Sequence, residues 1–100
     1  MSWEDCKNRI LSFKDLESDD GLDPPSLKTI ICAENTLLCL EKKGYPVPKN
    51  IVQGANGEIS FEWRHDLLYI RIELEEESAE LRIFFDCRLI FRQKLQNCVL

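Results

Sequence analysis

His65 is the chain's only histidine, and Asp66 follows it directly, which suggests a general acid–base pair. Neighbouring residues on a strand point to opposite sides, and a turn exposes both, so adjacency alone does not indicate a hydrogen-bonded dyad. The spacing also brings no serine or cysteine beside the pair. We therefore interpret His65 as a solvated turn residue and predict no catalytic residue. The alternative is a small hydrolase or nuclease-like enzyme that uses His65 with Asp66 or nearby carboxylates.

A second candidate for chemistry is the acidic segment Glu73–Glu80, which carries five carboxylates. Carboxylates bind hard cations such as calcium, but the segment lacks the Asp-x-Asp-x-Asp-Gly spacing of a calcium loop. We predict a solvated hairpin tip without a metal. Its carboxylates Glu75, Glu76 and Glu77 are a candidate docking surface for a basic partner.

The cysteines do not form a metal-binding or disulfide pattern. Their number is odd, no CxxC occurs, and the pair seven residues apart is spaced too widely for a typical zinc site. We predict reduced cysteines that pack as small hydrophobic side chains, with a redox or nucleophilic role as the alternative. The five are Cys6, Cys32, Cys39, Cys87 and Cys98.

Composition excludes several classes of protein. Hydrophobic residues make up 44% of the 100 residues, which is typical of a folded domain and not of a disordered chain. The net charge of -5 disfavours direct nucleic-acid binding, and no glycine-rich phosphate loop is present. No apolar run could span a bilayer, and the acidic N-terminus does not resemble a signal peptide. We predict a cytoplasmic protein without a cofactor.

Apolar spacing predicts two helices in the first half of the chain. Residues 3–17 place Trp3, Cys6 and Ile10 on one face, with Ser2 as the N-cap. An Asp/Gly/Pro-rich loop follows. Residues 25–43 form the second helix, which has a broad apolar stripe and ends before Gly44.

From residue 51 the apolar period changes from 3.6 to 2, which indicates strands. Short turns between them predict antiparallel neighbours, and Asn56-Gly57 is expected to form a tight hairpin turn. We predict an α+β domain over residues 1–100, with two N-terminal helices packed on one face of a four- to five-stranded antiparallel meander sheet. A helix over 88–98 is the alternative to the last strand. The predicted strands are 51–53, 59–64, 67–75, 79–86 and 88–94.

The segment 51–63, with Gly57, Ile59, Phe61, Glu62 and Trp63 in the pattern Gly-x-Ile-x-Phe-Glu-Trp, resembles a signature of small bacterial proteins. The preceding Asp/Gly loop and proline step also resemble that family, although Asp-Asp-Gly stands where its members usually carry Trp-Asp-Gly. The resemblance implies a bacterial cytosolic protein with an α+β fold and implies no activity. Independently, alternation predicts that Trp63 closes one end of the core and that Glu62 pairs with Arg71.

Apolar side chains on the predicted outward face carry the functional hypothesis. Tyr69 and Phe84 face outward by parity on adjacent strands, and Ile90 is expected to join them. Exposed aromatic residues on an open sheet face are typical of interfaces. We therefore predict a non-enzymatic protein–protein interaction module, such as an antitoxin, immunity or phage-derived accessory protein. It would bind another protein or a second copy of itself through Tyr69, Phe84, Ile90 and the acidic hairpin.

Overall fold

The computed structural model describes residues 1–15, 23–76 and 78–96. Helix α1 spans Trp3–Ser12 and continues as a short 3-10 turn over Phe13–Asp15. Ser2 caps it as predicted: its side chain accepts from the Asp5 N–H while the Asp5 carboxylate accepts from the Ser2 N–H, both at 3.0 Å. This reciprocal capping box holds the pKa of Asp5 below its ordinary value. The last two residues of the predicted helix, 16 and 17, lie outside the described residues.

Helix α2 spans Leu27–Lys42, slightly shorter than the predicted 25–43. It begins after Ser26, whose hydroxyl accepts from the Thr29 N–H, because this cap satisfies a backbone donor that the first turn leaves unpaired. Thr29 is buried and also connects the helix to the sheet, because its Oγ1 accepts from the Glu76 N–H at 2.7 Å. Gly44 follows the helix with φ of 78°, as a glycine after a helix end commonly does.

The sheet confirms the predicted fold class. Its five strands are antiparallel and follow one another in sequence order, so the predicted meander is correct. Both helices lie on one face, where α1 contacts β1 and α2 contacts β2 and β3. The strands are β1 (Asn50–Gln53), β2 (Ile59–His65), β3 (Leu68–Glu75), β4 (Ser78–Phe85) and β5 (Arg88–Gln96).

The last segment is a strand, so the alternative helix over 88–98 is wrong for the described residues 88–96. The register between β4 and β5 shifts at Ile83/Phe84, where Ile83 pairs with Phe91 and Phe84 pairs with Leu89. Such a bulge inserts an extra residue on one strand. Its insertion here explains why three consecutive apolar residues, 89–91, interrupt the alternation.

The turn at Asn56-Gly57 differs from the prediction. Only Gly57 has a positive φ, of 84°, so the connection is a longer loop closed by a hydrogen bond from the Gly54 N–H to the Glu58 carbonyl. A Cβ on Gly57 would lie 3.1 Å from the Pro24 carbonyl oxygen, so the position favours glycine sterically as well. Among the described residues, the tight turn with two positive φ values lies elsewhere: Asp86 and Cys87, at 50° and 63°, join β4 to β5.

The core lies between the two helices and one half of the sheet. Its largest fully buried side chains come from β2, β3 and both helices and include Phe61, Leu74, Ile10 and Ile30. The Cα radius of gyration is 13.1 Å, close to that of a compact chain of about 100 residues. Neither described helix has the length and apolar composition needed to cross a membrane.

Candidate functional site: the uncovered end of the sheet

The helices leave one half of the inner sheet face uncovered. Toward β4 and β5, the inward apolar row continues past the helices as half-buried side chains. They form the floor of an apolar groove of about 750 Å³, and no carboxylate is among the residues that line it. The floor residues are Leu68, Ile70, Leu81, Ile83 and Leu95.

One wall of the groove is the connector 45–49 between α2 and β1. Trp63 fixes this wall, because its indole N–H donates to the Pro46 carbonyl at 2.9 Å. Pro48 is buried against the core, so the connector is held at both points. Trp63 therefore ends the core, as alternation predicts, but beyond it the groove stays open.

Large apolar side chains extend this surface past the groove. Ile83 pairs with Phe91 on the inner face, and Phe91 is 45% exposed. Of its neighbours at the same end of the β4–β5 hairpin, Phe85 is 50% exposed on the inner face, Leu89 is 48% exposed and pairs with Phe84 on the outer face, and Ile90 is 61% exposed at the bulge. Phe91 and Phe85 therefore continue the apolar inner face past the groove, and exposed apolar patches are typical of interaction sites in folded proteins. Sequence alternation identifies the inward row but does not show where the helices stop covering it.

The outer face brings Tyr69 and Phe84 together. They pair in register, and their rings stack with centroids 5.6 Å apart. Both are half-buried, and the Tyr69 hydroxyl donates to Glu62 while the Arg64 guanidinium lies 4.7 Å from the centre of the Tyr69 ring. Burial raises the pKa of Tyr69, and the hydrogen bond to the Glu62 carboxylate raises it further. These aromatic residues are engaged with neighbours on their own sheet.

The predicted pairing of Glu62 with Arg71 is wrong, although the two residues are opposite each other in register. Glu62 accepts instead from Tyr69, and Arg71 pairs with Glu73 at 2.8 Å. The Arg71 side chain extends toward Glu73 on its own strand, and its Nε also donates to the Ser60 hydroxyl, which lies opposite Glu73 on β2. Strand register determines which residues are neighbours here, and side-chain conformation determines which of those neighbours form hydrogen bonds or ion pairs.

Charges on β4 are also paired internally. Arg82 Nε donates to Glu80 at 2.5 Å, and the same guanidinium lies 3.7 Å from Glu73. Hydrogen bonding from Arg82 lowers the pKa of Glu80, and the nearby cations of β5 lower it further. Glu73 and Glu80 are therefore paired with the arginines of β3 and β4.

The remaining predicted docking residues lie apart from the groove. Glu75 and Glu76 are exposed at the β3–β4 turn, where Glu76 has a positive φ of 49°. Glu77 lies outside the described residues. Ile90 is exposed at the opposite end of the β4–β5 hairpin, near the bulge. The structure brings Tyr69 and Phe84 together and places Ile90 at the bulge, next to Leu89, the register partner of Phe84, whereas the acidic turn lies at the other end of β4.

His65 and Asp66 show no convergence with other reactive groups. The imidazole and carboxylate are 3.7 Å apart, and their side chains are 89% and 88% exposed. Because both side chains are almost fully exposed, neither has the desolvated surroundings that are typical of catalytic acids and bases. The hydrolase alternative therefore gains no support. Among the residues that the structure describes, no three His, Cys, Asp or Glu side chains cluster as metal ligands.

The described cysteines form no disulfide with one another and lie in different surroundings. Cys6 is buried, and burial raises the pKa of its thiol. Cys32 and Cys39 are half-buried on α2, whereas Cys87 is exposed in the β4–β5 turn, so the prediction of core packing is wrong for Cys87. Cys98 lies outside the described residues.

Comparison with known proteins gives no family for this chain: no protein-family model, curated protein or solved structure matches it.

Proposed function

We propose that this chain is a non-enzymatic protein-interaction module that binds a partner protein through the uncovered end of its sheet. The observation that carries the proposal is the apolar groove with its floor of half-buried Leu and Ile side chains. A bacterial cytosolic accessory role, of the antitoxin, immunity or phage-derived kind, is part of this proposal.

The extent of the apolar surface favours a protein over a small molecule. A cavity of about 750 Å³ falls within the size range of small-ligand sites. Here, however, the apolar surface continues over the rim onto Phe91 and Phe85, beyond the reach of a compact ligand. Burial of such side chains stabilises a complex by about 25 cal/mol per Å² of apolar area, and a protein surface can cover both parts.

The outer face is the competing surface, and position-specific photo-crosslinking separates the two. Ile83 and Phe84 are adjacent on β4 and point to opposite faces: Ile83 lines the groove and Phe84 stacks on Tyr69. A photoreactive phenylalanine analogue placed at either position in the native cell should crosslink a discrete protein from position 83 only. Crosslinks from position 84 alone would show that the partner binds the outer face instead. The absence of crosslinks from both positions would contradict the proposal.

A second substitution tests whether groove chemistry causes the crosslink. Leu81→Asp places a charge on the groove floor two residues from position 83, and it should abolish the crosslink. Arg82→Asp, on the opposite face of the same strand, is the matched control and should leave it unchanged. Far-UV circular dichroism of both variants confirms that the fold is retained.

A further inference from the structure

The two edges of the sheet differ in how far they are blocked. On β1, the Arg9 guanidinium donates to the Ile51 carbonyl at 3.1 Å, and the Gln53 amide donates to the Asp23 carbonyl at 3.2 Å. The Asp23 N–H in turn donates to the Ala55 carbonyl just beyond the strand. β1 is also only four residues long. This edge is therefore short and covered by side chains and a neighbouring segment.

The β5 edge is long and open. The strand has nine residues, and within the described part of the chain its backbone hydrogen bonds run to β4 alone. The N–H and C=O groups on its far side are therefore available to pair with another strand. Leu89, Ile90 and Phe91, all substantially exposed, lie along this edge.

The charge of β5 is opposite to that of the chain as a whole. Its charged residues are Arg88, Arg92 and Lys94, in a protein of net charge -5. Within the described ranges, no carboxylate lies within ion-pair distance of these three cations, because Glu80, which faces Lys94, is bonded to Arg82. Arg92 is opposite another cation, Arg82. A second copy of β5 would bring more cations to this edge, whereas a strand that carries carboxylates would neutralise it.

We propose that β5 accepts an extended segment of a partner protein as a sixth strand, in which carboxylates alternate with apolar residues. This inference rests on the proposed function and specifies its partner. Side chains on one face of the added strand would lie beside Arg92 and Lys94. Those on the other face would lie beside Phe91 and Leu95, and so extend the floor of the groove. Main-chain hydrogen bonds supply affinity in this mode, and the alternating side chains supply specificity.

Synthetic peptides of seven residues test the proposal directly. The probe alternates glutamate with valine, and its counterpart alternates lysine with valine. NMR titration of the intact chain should show the acidic peptide binding about tenfold more tightly, because each cross-strand charge pair reverses from attractive to repulsive in the counterpart. Amide protons on the free side of β5 should become protected from exchange.

Two peptide variants report strand pairing itself. In an edge strand, every second N–H points toward the neighbouring strand. N-methylation of all the glutamates or of all the valines should therefore abolish binding in one case and preserve it in the other. Loss or retention of binding in both cases would overturn strand addition in favour of another mode, such as a helix in the groove.

Charge reversal on the chain provides the matched control. The double variant Arg92→Glu/Lys94→Glu should invert the preference between the two peptides. Lys14→Glu/Lys28→Glu makes the same change in net charge at exposed helical positions and should not invert it. If the acidic peptide fails to bind or shows no preference, the cations serve only to keep edges of different molecules apart and the inference is wrong. The crosslink from position 83 would then still decide the proposed function independently.

Discussion

Ile70 and Ile72 allow the groove to be distinguished from the core by stability alone. Both lie on the inner face of β3, two residues apart, and both line the groove, but Ile72 is 3% exposed and belongs to the core cluster, whereas Ile70 is half-buried and lies outside that cluster. Truncation of a buried isoleucine to alanine costs about 2–5 kcal/mol, part of it from the cavity left behind. Ile72→Ala should therefore cost about 3 kcal/mol, and Ile70→Ala, which opens onto an existing groove, about 1 kcal/mol.

Urea and thermal unfolding followed by far-UV circular dichroism measure this difference. For a domain of this size, a difference of about 2 kcal/mol corresponds to roughly 8–16 °C in Tm. Ile70 pairs directly with Ile83, so Ile70→Ala should also weaken the photo-crosslink from position 83 although the protein stays folded. Equal destabilisation by the two substitutions would show that the groove floor is packed as core, and the reasoning would fail.

Three further predictions each concern a single side chain. Thr36 is fully buried on α2 and its hydroxyl has no hydrogen-bond partner among the described residues, so Thr36→Val should be neutral or stabilise by up to about 1 kcal/mol. Thr29→Val removes the acceptor of the Glu76 N–H and should lower the free energy of unfolding by about 1–2 kcal/mol in a urea titration. If Thr36→Val were the more destabilising of the two substitutions, this account would be contradicted. Cys87→Gly should stabilise the protein by about 0.5–1 kcal/mol, because the positive φ at this position strains any residue with a Cβ. Cys87→Ala keeps the Cβ and should give no such gain. An equal gain from both substitutions would exclude backbone strain as the cause.

Local rules were sufficient to predict the elements of this fold. The serine before the first apolar residue and the aspartate three positions later define a capping box from sequence alone. The change of apolar period at residue 51 likewise predicts strands, because alternating apolar residues lie on one face of a strand but are spread around a helix. The boundaries at Ser26 and the loop at Asn56 were less accurate, because competing caps and turn types differ by little in free energy.

The site depends on quantities that a linear pattern does not contain. Parity places Ile70 and Ile83 on the inner face correctly, but whether a helix covers them depends on the lengths and positions of two helices packed over β1–β3. The sequence pattern does not reveal the bulge at Ile83/Phe84 either, because an extra residue in β5 appears in the sequence only as an interruption of the apolar alternation. Residue parity therefore identifies the outer aromatic residues but does not reveal the groove.

The engagement of the outer face is itself an argument for the groove. A partner that docked on Tyr69 and Phe84 would have to displace Arg64 from the Tyr69 ring or desolvate Glu62 beside it. Charged groups lose favourable hydration on such burial, and that loss offsets the gain from covering the rings. The groove is aliphatic where β3 and β4 cross it, and the cations that line it, Lys49 and Arg64, are exposed. We therefore expect a partner to gain more free energy on the inner face than on the outer one, and we interpret the outer network as internal support of a sheet that its helices cover on one side only.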